Sequence, residues 1–413
     1  MPSPEHPLNR KKIYRRRRTV LFSTAVVVLA AGVYLPTTLL APLEVVSAEL
    51  ATYTPPVAAA AQVAVPAYGA SGIAMVGTEG LLASGGNTAP LPIASVTKVV
   101  TALVVLNAKP LASGEEGEDI AFTSADVQIY NDYLADNGSV KPVAAGEVLT
   151  QREVLELMLV GSANNYARSL VNWAFGSEAE YAAAAATWLT EHGMTSTSIV
   201  DSTGMSPLNT STPTDLVALG GLALADPTVA EIVSQKSVTV PDVGSLSNTN
   251  SLLGVDGIDG IKTGTLDEAG ACLLFSADVL VEDQTVTLVG VVLGGEDHDT
   301  IDAAVRELIS GVISGFHKVT LTTAGESFGA YSTAWGETTT AVASEDSSVV
   351  VWSDTPVTAT VATDPITVVT EGSNVGTVTF VAGSQQVSVP LTATTTIEDP
   401  GAWWRITHPE ELF

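Results

Sequence analysis

The chain has 413 residues, 17 Lys+Arg against 45 Asp+Glu and a formal net charge of −28. Seven of the basic side chains and three of the acids fall in the first fifty positions, so residues 51–413 carry ten basic and 42 acidic side chains. Such a surface repels phosphate backbones and excludes a nucleic-acid partner, while 46% hydrophobic and 15% charged residues exclude a disordered acidic tail.

Arg15–Arg18 closes a basic tail, residues 1–18, and an uncharged run from Thr19 to Leu43 follows. A helix needs about 20 apolar residues to cross a hydrocarbon core, and this run supplies them. The basic cluster favours the cytosol, which places everything from Glu44 on the extracytoplasmic face of the membrane. Val46-Ser47-Ala48 also reads as a small-residue cleavage site, but the run exceeds the roughly 7–15 apolar residues of a signal peptide. An uncleaved single-pass anchor over 19–43 is therefore expected. Residues 44–66, rich in Ala and Pro, read as a spacer.

Ala70–Val76 and Gly80–Ser84 read as a hairpin around Gly77. From Ser95 the apolar positions Val96, Val99, Val100, Leu103, Val104 and Leu106 take helical spacing. Residues 107–235 continue mostly helical, with loops at 110–119 and 200–214 and helices over Gln151–Val160, Asn164–Phe175 and Ser177–His192. The β-branched runs Gly257–Thr263, Ala271–Ala277 and Gln284–Leu293 read as strands, and Thr300–Phe316 as a helix. A strand pair, a long helical insertion, three strands and a helix describe one α+β domain over 67–318, closed by sequence-distant strands. Residues 319–401, dominated by Val, Thr, Gly and Ser, read as a small all-β domain. Residues 402–413 form a tail whose Trp403 and Trp404 suit a membrane surface without spanning one.

Cys272 is the one cysteine, so no intrachain disulfide forms, and its apolar setting (Gly270–Phe275) marks a buried strand residue. His6, His192, His298, His317 and His408 make no i, i+4 pair, so neither a metal site nor a cofactor is expected. Gly325-Glu326-Ser327-Phe328-Gly329 matches a nucleophile elbow by letters, but it lies in an all-β segment and is set aside.

Ser95-Val96-Thr97-Lys98 carries more weight, because three residues apart on a helix the two side chains share a face. A lysine desolvated beside a second cation loses affinity for its proton and can act as a base near neutral pH. Of the eight lysines, only Lys98 has a serine three positions before it, and only Lys262 begins Lys-Thr-Gly. Lys262-Thr263-Gly264 ends a β-type run, where Lys and Thr suit a carboxylate and Gly admits a close backbone. Ser162-Ala163-Asn164 sits where a helix N-cap is the ordinary role.

In this order the three motifs resemble those of penicillin-binding proteins and serine β-lactamases. The stretches Ile93–Leu103, Leu157–Asn165, Asp201–Met205, Ser211–Leu216, Asp256–Gly264 and Glu268–Cys272 look in particular like the low-molecular-mass D-alanyl-D-alanine carboxypeptidases. The resemblance runs from about residue 70 to 318, with an echo of that group's small β-domain at Val375–Thr379 and Val389–Leu391. It implies a β-lactamase/transpeptidase-like fold, an antiparallel sheet between helices with an all-helical lobe. It also implies removal of the terminal D-Ala from peptidoglycan stem peptides and acylation by β-lactams. Ser95 would be the nucleophile, Lys98 its base, Ser162 a proton relay and Asn164 an orienting group. Lys262, Thr263 and Gly264 would bind substrate, and the N–H groups of Ser95 and Thr265 would stabilise the oxyanion.

Two departures stand out. The second motif, commonly Ser-Gly-Asn-Asp in that group, is Ser162-Ala163-Asn164-Asn165 here. The carboxylate-binding arginine that many relatives carry after the last strand is absent from Gly294–Asp299, leaving His298 as a substitute or an ordinary loop histidine. A β-lactamase is disfavoured, because the Glu-x-x-Leu-Asn that would deacylate it is Met205-Ser206-Pro207-Leu208-Asn209. A D,D-endopeptidase stays open. A β-lactam sensor or silent wall-binding protein is the non-enzyme alternative, opposed by the short basic tail and the intact motifs.

Overall fold

The computed structural model describes residues 10–413, with side chains from Lys12 onward, so residues 1–9 of the expected tail lie outside the described residues. The chain forms two compact units. One is Ala58–His317 with Val350–Asp354; the other takes the chain up to Val57, Lys318–Val349 and Thr355–Phe413. Helix α1, Arg10–Leu39, runs about 45 Å at 1.5 Å per residue. Its segment Lys12–Leu39 is long and apolar enough to cross a membrane, and Leu21, Phe22 and Leu29 are 71%, 73% and 70% exposed.

In the unit of Ala58–His317 the sheet has five antiparallel strands: β1 (Ala70–Met75), β2 (Ala83–Gly86), β3 (Ile258–Leu266), β4 (Gly270–Val281) and β5 (Gln284–Gly295). Their spatial order is β3-β4-β5-β1-β2, so the early hairpin joins the late meander with Ala70 opposite Leu293. Successive side chains of a strand point to opposite faces. Cys272 and Leu274 on β4 therefore enter one core with Val289, Val291 and Leu293, while Leu273 and Phe275 enter another with Leu288 and Val292. Both faces are buried, which is why these strands read as nearly continuous apolar runs.

The first core joins the helices α2 (Thr97–Ala108), α4 (Gln151–Leu159), α5 (Asn164–Phe175), α6 (Glu178–Glu191), α7 (Pro213–Ala225) and α8 (Pro227–Val233), while α3 (Ser124–Ala135), with no buried residue, lies against α5. Ten of the twelve residues of α2 are buried, the mark of a helix enclosed on all sides rather than one lying on a surface. Thr123 and Thr150 start α3 and α4 with reciprocal capping boxes to Asp126 and Glu153. On the other face lies α9 (His298–Ser314), burying Ile301, Val305, Leu308, Ile309 and Val312.

Several boundaries differ from the sequence reading. The second hairpin strand starts at Ala83 rather than Gly80, because Gly77 and Gly80 both hold positive φ and lengthen the turn. Helix α9 starts at His298 rather than Thr300, because the Asp297 carboxylate caps the Thr300 N–H at 2.8 Å. Strand β3 extends to Leu266, where pairing with Gly270 continues.

In the other unit a six-stranded antiparallel sheet runs in the order Glu49–Leu50, Ser327–Ser332, Thr338–Ala343, Gln385–Ala393, Asn374–Ala382, Val357–Thr363. Alternate residues, among them Val378, Phe380, Val389 and Leu391, form its interior. The spacer expected over 44–66 is in part ordered here. Val46 bridges Ile366, Glu49 and Leu50 pair with Ala330 and Gly329, and Tyr53 packs edge-on to Phe380 at 5.3 Å. The C-terminal helix α10 (Gly401–Thr407) meets α1: the Tyr34 hydroxyl donates to the Ile406 carbonyl at 2.7 Å, and Arg405 donates to the Ala41 carbonyl at 2.6 Å.

Candidate active site

Ser95 lies in a single 3₁₀ turn, Ala94–Val96, that runs directly into α2. The turn is tight enough to put Ala94 at φ 47°, a left-handed conformation that non-glycine residues seldom take. Gly204 backs it, and a Cβ there would fall 1.9 Å from the Ala94 carbonyl oxygen. One helical turn on, Lys98 is fully buried, with Nζ 2.8 Å from Ser95 Oγ and 2.7 Å from the Thr203 carbonyl. Burial, and then the charge of Lys262, drive its proton affinity well below the ordinary lysine value; Asp201 opposes them. A buried amine that sheds its proton readily, within hydrogen-bond reach of a hydroxyl, is an arrangement that can serve as a nucleophile and its base.

The edge strand β3 supplies the next group. Lys262 is 1% exposed, and burial lowers its pKa to about 7. Its Nζ donates to the Thr263 carbonyl at 3.1 Å and to Thr249 Oγ1 at 3.5 Å, while the Thr249 and Thr263 hydroxyls bond to each other. At Gly264 an added Cβ would lie 3.1 Å from the Ser95 nitrogen and from the Ile93 oxygen. The bare glycine thus lets β3 press against the turn that carries Ser95. Thr265 is exposed, and its hydroxyl lies 2.7 Å from His298 Nε2. That histidine is the first residue of α9, not part of a loop, which corrects the plainer of its two sequence readings.

Ser162 and Asn164 occupy the turn between α4 and α5. Ser162 takes φ 55°, and the Asn164 backbone N–H, the first of α5, is held by the Ser139 carbonyl at 2.7 Å. Both residues are buried, and among the described residues no hydrogen bond joins either side chain to Ser95 or Lys98. The Asn164 Oδ1 is buried without a partner, an amide acceptor left open for a donor arriving from outside. The next residue, Asn165, has no exposed catalytic role: its amide grips the backbone of Lys141 in both directions, at 3.1 and 2.9 Å.

Thr249 lies outside every motif and resembling stretch, and Asp201 and Thr203, though within the resembling stretch Asp201–Met205, carry a contact to Lys98 that the sequence did not assign. Thr249 lies in Asn248-Thr249-Asn250, where both asparagines tie down backbone, Asn248 to Gln235 and Asn250 to Gly260, each at 3.0 Å. A polar triplet ahead of an apolar strand was the available signal.

Residues 60–297 match the model of the family Peptidase_S11, D-alanyl-D-alanine carboxypeptidase. The chain belongs to that family. Over 209 residues it is 29% identical to the D-alanyl-D-alanine endopeptidase of Escherichia coli, covering 48% of this chain and 62% of that protein. Over 202 residues it is 30% identical to the D-alanyl-D-alanine carboxypeptidase of a Streptomyces species, covering 44% of this chain and 67% of that one. The match therefore spans about three fifths to two thirds of these relatives. Among solved structures, penicillin binding protein 5 of Haemophilus influenzae superposes with a TM-score of 0.57 at 18% identity, over 84% of this chain and all of that one. A peptidoglycan synthesis regulatory factor of Streptococcus pneumoniae gives 0.58 at 22%, over 83% of this chain. These likenesses establish the fold.

Proposed function

We propose that this family member is a serine D,D-carboxypeptidase acting on peptidoglycan stem peptides. The observation that carries the reading is the 2.8 Å contact between Ser95 Oγ and a fully buried Lys98 whose proton affinity is suppressed. Ser95 Oγ attacks the carbonyl carbon of the penultimate D-Ala and its proton passes to Lys98 Nζ. The N–H groups of Ser95 and Thr265 receive the oxyanion. The C–N bond to the terminal D-Ala then breaks, the leaving nitrogen gaining a proton relayed through Ser162 Oγ. Water attacks the Ser95 ester, releasing the shortened peptide and returning the hydroxyl. Asn164 Oδ1, open in the free protein, accepts from the substrate amide, while Lys262 and the hydroxyls of Thr263 and Thr265 hold the terminal carboxylate.

A β-lactam enters the same sequence with its ring amide in place of the peptide bond, so a fluorescent penicillin labels the wild-type protein and leaves Ser95→Ala dark. Equal labelling of the two ends the proposal. Wild-type protein also releases D-Ala from a pentapeptide ending in D-Ala-D-Ala.

The relatives named endopeptidases from Escherichia coli, Pseudomonas aeruginosa and Haemophilus influenzae support a second reading, cleavage of peptidoglycan cross-links by the same residues. An intact pentapeptide beside cut cross-linked dimers selects it. We place the enzyme in the bacterial cell membrane through α1, whose exposed apolar length suits a single pass, with the catalytic body on the extracytoplasmic face.

A further inference from the structure

Lys98 has two hydrogen-bond partners, Ser95 Oγ and the carbonyl of Thr203. Whatever fixes Thr203 therefore fixes the amine. Asp201 does so: its Oδ1 accepts from the Thr203 N–H, the Thr203 hydroxyl and the Gly204 N–H, each at 2.7 Å, and its Oδ2 accepts from the Ser206 N–H at 2.8 Å. The same loop touches the other half of the pair, since Gly204 backs the Ala94–Ser95 peptide. Asn209 locks the arrangement from behind, donating to the Asp201 carbonyl at 2.9 Å and to Thr97 Oγ1, next to Lys98, at 3.1 Å.

The charge is as distinctive as the geometry. Among the described residues no lysine or arginine forms an ion pair with Asp201, whereas the neighbouring carboxylate, Glu178, is paired with Arg168 and accepts the Ser202 N–H. The other groups facing this region are the phenols of Tyr133 on α3 and Tyr181 on α6. Burial foremost keeps both neutral, Tyr133 pushed up to about 12 and Tyr181 higher still. Lys262, on β3, is the remaining charge acting on Lys98.

We propose that Asp201 is a positioning residue for the Ser95–Lys98 pair, fixing the amine through the Thr203 carbonyl and balancing its charge. The inference rests on the reading of Lys98 as the base for Ser95. Burial and Lys262 push Lys98 toward the neutral amine, and Asp201 alone of the named charges pulls the other way. Removing that charge extends the neutral, base-competent amine to lower pH, while loosening the loop slows acylation at every pH.

The test measures the rate of acylation of the full-length protein by a fluorescent penicillin across pH, alongside melting temperature. In Asp201→Asn the Oδ1 acceptor persists but the charge and the Ser206 bond are lost. Its acid limb moves to lower pH by on the order of one unit, and its plateau falls about tenfold or more. Asp201→Glu, which restores the charge, returns the limb toward the wild-type position. Thr203→Val, which leaves the Asp201 side chain in place, lowers the plateau with the limb unmoved. An Asp201→Asn limb that coincides with wild type overturns the proposal, as does a Thr203→Val limb shifted to lower pH. If wild-type protein is never acylated, the serine-acylation reading falls and this assignment with it; if it is acylated and only the limbs disagree, this assignment alone falls.

Discussion

Lys262 illustrates what the site costs the fold. Its ammonium has one carbonyl at 3.1 Å and a hydroxyl at 3.5 Å as partners, in a fully buried position where its pKa falls to about 7 from the usual 10.5. The unfolded chain therefore holds this proton more tightly than the native one, and the destabilisation is complete below about pH 7 and fades as pH rises toward 10.5. Lys262→Met accordingly raises thermal stability by about 1–3 kcal/mol below neutrality, with the gain shrinking at alkaline pH, while penicillin acylation is lost. Calorimetry at several pH values checks the sign. This residue and Lys98 were legible in the sequence because each sits in a short motif in which every member lies within three positions. Thr249 was not, and Asp201 was legible only as part of a resembling stretch and not by its role, because they act on Lys262 and Lys98 from 13 and 103 positions away, through a hydroxyl and a backbone carbonyl.

Elements position these residues by how they start and where they press. Helix α2 can carry a buried lysine because it is enclosed on all sides, and β3 can approach Ser95 because Gly264 has no side chain to keep it away. Helix α9 starts early at its Asp297 cap, and that brings His298 against Thr265 at 2.7 Å. His298→Ala is expected to raise KM several-fold for a peptide with a free terminal carboxylate, and to leave the corresponding carboxamide peptide unaffected. Steady-state kinetics on the pair decides the matter, an equal change for both refuting a carboxylate role. The strands were legible from their β-branched runs, but their ends were not. Residues Gly264–Leu266 extend β3 by pairing with β4, a tertiary gain that local composition does not encode.

For the whole molecule, the sequence announced an α+β body, a β-rich unit and an apolar N-terminal helix, and the first two are present as compact units. What composition concealed is that part of the stretch after the helix pairs into a sheet, since Glu49 and Leu50 join a strand and Val46 makes a single bridge to Ile366. This bears on the anchor. Full-length protein is expected to stay with membranes through alkaline carbonate extraction. A chain beginning at Glu44 retains those pairings and is expected to be soluble without detergent and still acylated by penicillin. Recovery of the full-length protein in the supernatant refutes the single-pass reading.

The catalytic sheet is finished by a pairing between residues 70–75 and residues 288–293. In time rather than space, β1 meets β2 within a few residues but must wait for more than two hundred further residues before its other neighbour, β5, exists. Contacts of such long sequence separation close slowly, because the intervening loop must first lose its freedom. A chain emerging from its N-terminal end thus holds one edge of the β1–β2 hairpin, the side of Ala70–Met75 that β5 covers, open until the last strand of the sheet arrives. Assembly of the nucleophile's support is correspondingly late, since β3, Thr249 and Asp201 all lie in the part of the chain that arrives in between. On the proposed mechanism, the site is complete only once nearly all of this unit has been made.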